Sequence, residues 1–193
     1  MDGTGSEISL AVLDACRRGD REAFRELYEA YKDRVYSIAF YFFQADADAA
    51  SEVTQQVFLK LMREIARFRG DAAFPTWLYR LVINACLDRV RGRRADVVGA
   101  DPLTLDAMPA PALSHEETLA QHEVARSVQH AVATLPPKLR AAILLRYFDD
   151  LSYSDMATVL SCSIGTVASR LSRGHRLLAK KLEPLRVALR PEG

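Results

Sequence analysis

The segment DREAFRELYEAYKDRVYSIAFYFF, residues 20–43, sets the tightest limit on the fold. Its apolar residues Phe24, Leu27, Tyr28, Tyr31, Val35, Ile38, Ala39 and Phe42 recur at three- and four-residue steps. On a helix of about 3.6 residues per turn they line up as one buried stripe. Alternating strand patterns are absent from the chain, so an all-α fold is expected. With 193 residues, 49% of them apolar, the chain can bury one large core or two small ones.

Further helices follow from the same period and from its breaks. A short helix over Ile8 to Arg18 is ended by Gly19, and Asp20 is placed to cap the long one. A third runs from about Asp48 to Arg67 with Val53, Val57, Leu61, Ile65 and Phe68 inward. FRGDAAFP interrupts it, and Pro75 opens a fourth helix to about Arg91, completing an N-terminal four-helix bundle. RADVVGADPLTLDAMPAPAL holds Pro102, Pro109, Pro111 and Gly99 without a helical stripe, and reads as a flexible acidic linker. Beyond it, Ser114 with Glu117 and Ser152 with Asp155 are capping-box patterns, and Pro136–Pro137 ends one helix and starts another. The expected division is 1–94, 95–113, 114–187 and a tail at 188–193.

A formal net charge of +1 conceals an uneven distribution. Arg89, Arg91, Arg93 and Arg94 cluster before a stretch, Ala95 to Ala125, that has no Lys or Arg but carries Asp96, Asp101, Asp106, Glu116, Glu117 and Glu123. From Arg170 to Arg190 the basic residues face only Glu183. Charge alone leaves two readings open: a polyanion touched at two places, or solvated helix faces. Cys16, Cys86 and Cys162 have neither disulfide nor zinc-ligand spacing and are expected to be core thiols in a reducing compartment. His115, His122, His130 and His175 show no catalytic or metal-binding spacing. No cofactor is therefore expected. No cationic leader or membrane-length apolar run appears, so a cytoplasmic protein without direct membrane insertion is expected.

CSIGTVASRLSRGHR, residues 162–176, follows a short helix after a brief turn, the arrangement of a helix-turn-helix unit. Ile164, Val167, Leu171, Gly174, Leu178 and Leu182 would face inward; Thr166, Ser169, Arg173, Arg176 and Lys180 would face outward. Gly165 and the small hydroxyl residues would let backbone N–H groups approach phosphates, and the arginines offer bidentate donors to guanine edges or phosphates. An amphipathic helix with a solvated basic face is the alternative for this segment alone. Gly174 inside the helix implies close packing, since glycine there costs about 1 kcal/mol relative to alanine.

TLPPKLRAAILLRYFDDLSYSDMATVLSCSIGTVASRLSRGHRLLAKKL resembles the C-terminal domain of extracytoplasmic-function sigma factors, small two-domain specificity subunits of bacterial RNA polymerase. FRELYEAYKDRVYSIAF and VTQQVFLKLMREIARFRGDAAFPTWLYRLVINACLDRVR resemble their promoter-melting N-terminal domain, in the same order. The chain departs from the usual pattern at Ser51, where an acidic residue is common beside Glu52, at Ala168, and in SRGHR.

The resemblance implies a protein with no reaction of its own. It would bind the RNA polymerase core, read the minus-thirty-five element of promoter DNA with Gly165, Thr166, Ser169, Arg170, Arg173, Arg176 and Lys180, and open the minus-ten element. For the latter, Thr76, Arg80, Asn84 and Arg91 share one side of the fourth helix, and the loop before it adds Arg69 and Trp77. Unpaired bases stack on aromatic rings beside cations. Core packing is the alternative for Trp77, and Phe68 and Phe74 are read as core. On the third helix Asp48, Glu52, Gln55, Gln56 and Leu59 project away from the buried stripe; the family uses this helix against the beta-prime clamp coiled coil. One exposed leucine is otherwise unremarkable. Family members are commonly held by an anti-sigma factor. The acidic linker could lie in the channel that later accepts nascent RNA. Two other classes stay open at this point: a helix-turn-helix regulator with a ligand-sensing N-terminal bundle, and a helical adaptor without a nucleic-acid partner.

Overall fold

The computed structural model describes residues 8–96, 119–148 and 150–188. Within them the chain forms α1 (Leu10–Arg17), α2 (Arg21–Phe42), α3 (Ala47–Glu64), a 3₁₀ turn (Ile65–Arg67), α4 (Phe74–Asp96), α5 (Leu119–Ala133), α6 (Pro137–Phe148), α7 (Tyr153–Val159) and α8 (Ile164–Ala188). The described residues contain no strand, and none of their helices is long and apolar enough to cross a membrane. The linker after Asp96 and the Ser114–Glu117 cap lie outside the described residues.

Junction chemistry explains where the helices stop. Gly19 takes a left-handed φ of 84°, which lets Asp20 N–H reach back to Ala15 O at 3.1 Å and close α1. The same Asp20 then opens α2: its Oδ1 accepts from Glu22 N (2.9 Å) and Ala23 N (3.1 Å). At the far end of α2 the same device is built without glycine. Gln44 and Ala45 both sit at φ 65°, Ala45 N–H donates to Phe40 O at 2.9 Å, and Asp46 caps α3 through Ala49 N at 2.8 Å. Gly92 does not end α4, which runs past the expected Arg91 to Asp96.

The expected stripe of α3 is buried at every position, and that of α2 at all but two. Tyr28 is 42% exposed and Phe24 half-buried, because Ala23 and Leu27, one position before each, carry the buried line at the start of the helix; Tyr28 meets the edge of Phe58 at 4.7 Å. Cys16 and Cys86 are core thiols as expected, whereas Cys162 is only half-buried. Burial pushes the Cys16 and Cys86 thiols up in pKa.

The two halves do not stand apart. α4 packs on α6 and α7, and α2 packs on α5 and α6, so one apolar core runs through both. This is why Tyr79, Val82, Ile83 and Cys86 are buried in addition to Leu78 and Leu81: α4 is covered on two sides. The seam is fastened by Arg140 of α6, only 8% exposed. Its guanidinium donates to Phe42 O, to Ala133 O and, at 3.0 Å, to Leu135 O, and lies 5.3 Å from the Phe42 ring centroid. Gln44 Nε2 also donates to Ala133 O, at 3.1 Å. Phe42 and Ala133 are the last residues of α2 and α5, so Arg140 sits where two helix C-termini present unsatisfied carbonyls and negative dipole ends. That environment accounts for a buried cation held by carbonyls. Burial lowers its pKa to about 10, still far above neutrality, so it stays charged.

Candidate nucleic-acid interface

α7 and α8 form the expected helix-turn-helix unit. Ser152 Oγ accepts from Asp155 N at 3.1 Å and donates to Asp155 Oδ2 at 2.5 Å, fixing the start of α7. Ser161 takes φ 48° at its end, with Cys162 N–H returning to Ala157 O at 3.0 Å, so the chain turns sharply into α8. Ser163 caps α8, accepting from Thr166 N at 3.2 Å.

Burial along α8 follows the expected side at Val167, Leu171 and Gly174. A Cβ on Gly174 would stand 3.0 Å from Ile143 Cγ1 and 3.1 Å from its Cδ1, so α8 crosses α6 closely and any larger residue there would require the Ile143 side chain to shift by a few tenths of an ångström. Ile164 departs from expectation: at the tip of the helix it reaches past its neighbours and is 54% exposed. On the opposite side Gly165, Ser169, Arg173, Arg176 and Lys180 are exposed, with Thr166 and Arg170 half-buried beside them. Thr166 and Ser169 use their hydroxyls locally, Thr166 Oγ1 with Ser163 Oγ at 2.9 Å and Ser169 Oγ donating to Thr166 O at 3.0 Å. No acidic residue occurs between Thr166 and Leu182, so the face is positive over four turns of helix.

On α4 the expected group divides. Trp77 is half-buried at the rim of an aromatic cluster, 5.4 Å from Phe68 and 5.9 Å from Phe74, both of which are core. Arg80 is half-buried, and Arg69, Asn84 and Arg91 are exposed. Thr76 is 3% exposed and belongs to the packed start of the helix instead of its surface. Arg17 of α1 braces the loop before α4, donating to Phe68 O with its guanidinium 5.5 Å from the Phe68 ring. Nothing in the local pattern marked Arg17 for this, since it reads as a last-turn basic residue.

Asp48, Glu52, Gln55, Gln56 and Leu59 are all exposed on α3, and Met62, one turn beyond Leu59, adds a second apolar side chain at 58% exposure. Glu52 is not free there: Arg89 Nη1 lies 2.6 Å from its Oε2.

Residues 27–95 match the family model for Sigma-70 region 2, and residues 125–178 match that for Sigma-70, region 4. The chain is 37% identical to the RNA polymerase sigma-H factor of Pseudomonas aeruginosa over 181 residues, covering 90% of this chain and 93% of that one. With the ECF RNA polymerase sigma factor SigW of Bacillus subtilis it shares 31% identity over 88% of this chain and 94% of that one. The chain belongs to the extracytoplasmic-function sigma-70 family. The fold is shared with the sigma factor RpoE in complex with the anti-sigma factor NepR from Bartonella quintana (TM-score 0.69, 23% identity, 83% of this chain and 96% of that one). It is shared also with CnrH in complex with the cytosolic domain of CnrY (TM-score 0.66, 24% identity, 90% and 96%). The protein is thus an RNA polymerase sigma factor that directs promoter-specific transcription. Region 2 spans residues 27–95, from within α2 to the last turn of α4, which removes the ligand-sensing bundle as a reading of those helices.

Proposed function

We propose that the sigma factor divides promoter recognition between the two positive faces. The outward side of α8, through Gly165, Thr166, Ser169, Arg170, Arg173, Arg176 and Lys180, enters the major groove at the minus-thirty-five element. Trp77, Arg80, Asn84 and Arg91, with Arg69 in the loop, hold the opened minus-ten strand, and buried Thr76 fixes the helix start that aims them. Asp48, Glu52, Gln55, Gln56 and Leu59 dock on the beta-prime clamp coiled coil. The working divisions are 1–94 for core binding and melting, 95–113 as tether, 114–187 for upstream reading, and 188–193 as tail. Catalysis belongs to the polymerase, so the sigma factor has no reaction of its own and acts in the cytoplasm. An anti-sigma factor is a further partner; the relative RpoE is bound to one.

The observation that carries this reading is the acid-free side of α8 on a helix whose other side is locked to α6 at Gly174. Its test is transcription from a genomic library by core polymerase plus this protein alone. Initiation at a defined set of promoters is expected. Transcripts only when a second sigma factor is added would overturn it.

A further inference from the structure

Arg89 stands in the sequence beside Arg91, Arg93 and Arg94, yet the fold gives it different company from Arg91. Arg91 is exposed and pairs with Asp88 of its own helix at 2.7 Å. Arg89 turns toward α3: its side chain is 20% exposed, Nη1 meets Glu52 Oε2 at 2.6 Å, and the guanidinium lies 5.9 Å from the Phe43 ring. From the other side Gln56 Nε2 donates to Glu52 Oε1 at 3.5 Å. Both carboxylate oxygens are therefore engaged while the Glu52 side chain stays 52% exposed. The network edges a groove between α3 and α4 that Val57, Ala85 and Gly92 also line, and α3 carries the exposed Leu59 and Met62 as well.

A glutamate standing alone on a helix surface samples many rotamers, and a partner that needs one of them must freeze the rest. A cation anchored in the neighbouring helix does this beforehand. We infer that Arg89 is a positioning residue for core polymerase, holding the Glu52 carboxylate in its docking geometry, and that it is not part of the DNA-facing basic cluster. The inference rests on the reading of α3 given under Proposed function.

The test measures affinity of the full-length, N-terminally labelled protein for sigma-free core RNA polymerase, for Glu52→Gln, Arg89→Gln, Arg89→Lys and the Glu52→Gln/Arg89→Gln pair. Each glutamine variant is expected to weaken binding about fivefold, the scale of a well-formed exposed ion pair. The double variant should be no weaker than Glu52→Gln alone, and lysine should restore part of the loss. Arg89→Gln should bind promoter duplex with wild-type affinity and salt dependence, and melt normally when followed by Trp77 fluorescence. Wild-type or tighter polymerase binding by Arg89→Gln overturns the inference, as does full additivity with Glu52→Gln, or a loss confined to DNA binding. A polymerase loss that comes with lowered melting and no rescue by lysine assigns Arg89 to the fold and overturns it too. If Glu52→Gln binds polymerase normally, the reading of α3 fails and the inference with it; a Glu52 effect with silent Arg89 variants sinks the inference alone.

Discussion

Replacing Arg140 by methionine keeps most of the side chain's length and apolar volume while removing every donor that this residue brings to the seam, leaving only Gln44 Nε2 on Ala133 O. Three charge-assisted hydrogen bonds, to Phe42 O, Ala133 O and Leu135 O, are lost. Each such bond contributes about 1.5 kcal/mol or more. Against this stands the desolvation of the guanidinium, which holds its pKa down to about 10. The balance puts the net loss at about 2–4 kcal/mol, a large share of the roughly 5–15 kcal/mol that stabilises a typical domain. Urea unfolding followed by two probes measures it. Fluorescence of Trp77, the single tryptophan, reports the N-terminal half, and far-UV circular dichroism reports all helices. The wild type should give coincident transitions. Arg140→Met should lower the midpoint by about 1–2 M urea and separate the two curves, since the halves then lose their shared fastening. Arg140→Lys, retaining charge but not the fork, should fall between. Coincident curves with an unchanged midpoint for Arg140→Met would refute the assignment of the seam to this residue.

Gly92→Ala, with nothing within 4 Å of the new Cβ, should gain up to about 1 kcal/mol in thermal melting, whereas Gly174→Ala should gain less or lose, because its Cβ would stand 3.0 Å from Ile143 and that side chain must shift; an equal gain at both positions would refute the close crossing. Arg173→Ala and Arg176→Ala should each weaken binding of a minus-thirty-five duplex by about 1–3 kcal/mol where they meet base edges, or lower the salt slope by about one where they meet phosphate; titrations at several salt concentrations separate the two, and unchanged binding in both variants contradicts the reading of α8. Burial raises the Cys16 and Cys86 thiols, so less thiolate is present at a given pH; iodoacetamide at about pH 8 should modify half-buried Cys162 first, and the other two only in urea, as followed by mass spectrometry.

What the sequence disclosed was local. Gly19 followed by Asp20 announces a helix end and a helix start, Ser152 with Asp155 a cap, and Gly174 a crossing, because each acts on atoms within a turn or marks a contact that favours the smallest residue. The outward side of α8 could be read for the same reason. Arginines at the tertiary contacts were silent: Arg17 reaches a carbonyl 51 residues away and Arg140 one 98 residues away, separations that no helical period encodes. Tyr79, Val82 and Ile83 show the same gap. Periodicity gives a helix one buried side, and α4 has two because the C-terminal half leans on it. The left-handed pair Gln44–Ala45 carried no signal either, since neither is glycine.

The seam held by Arg140 also sets a mechanical demand. By their numbering, the two promoter elements are centred about 25 base pairs apart, roughly 85 Å of duplex at about 3.4 Å per step. A single body of this chain length is only about 40 Å across. With α2 and α6 still joined, the molecule is too short to straddle that span. Simultaneous engagement of both sites would therefore require prising the joint open and wetting the aliphatic and aromatic residues beneath it, with the polymerase and the double helix supplying the work.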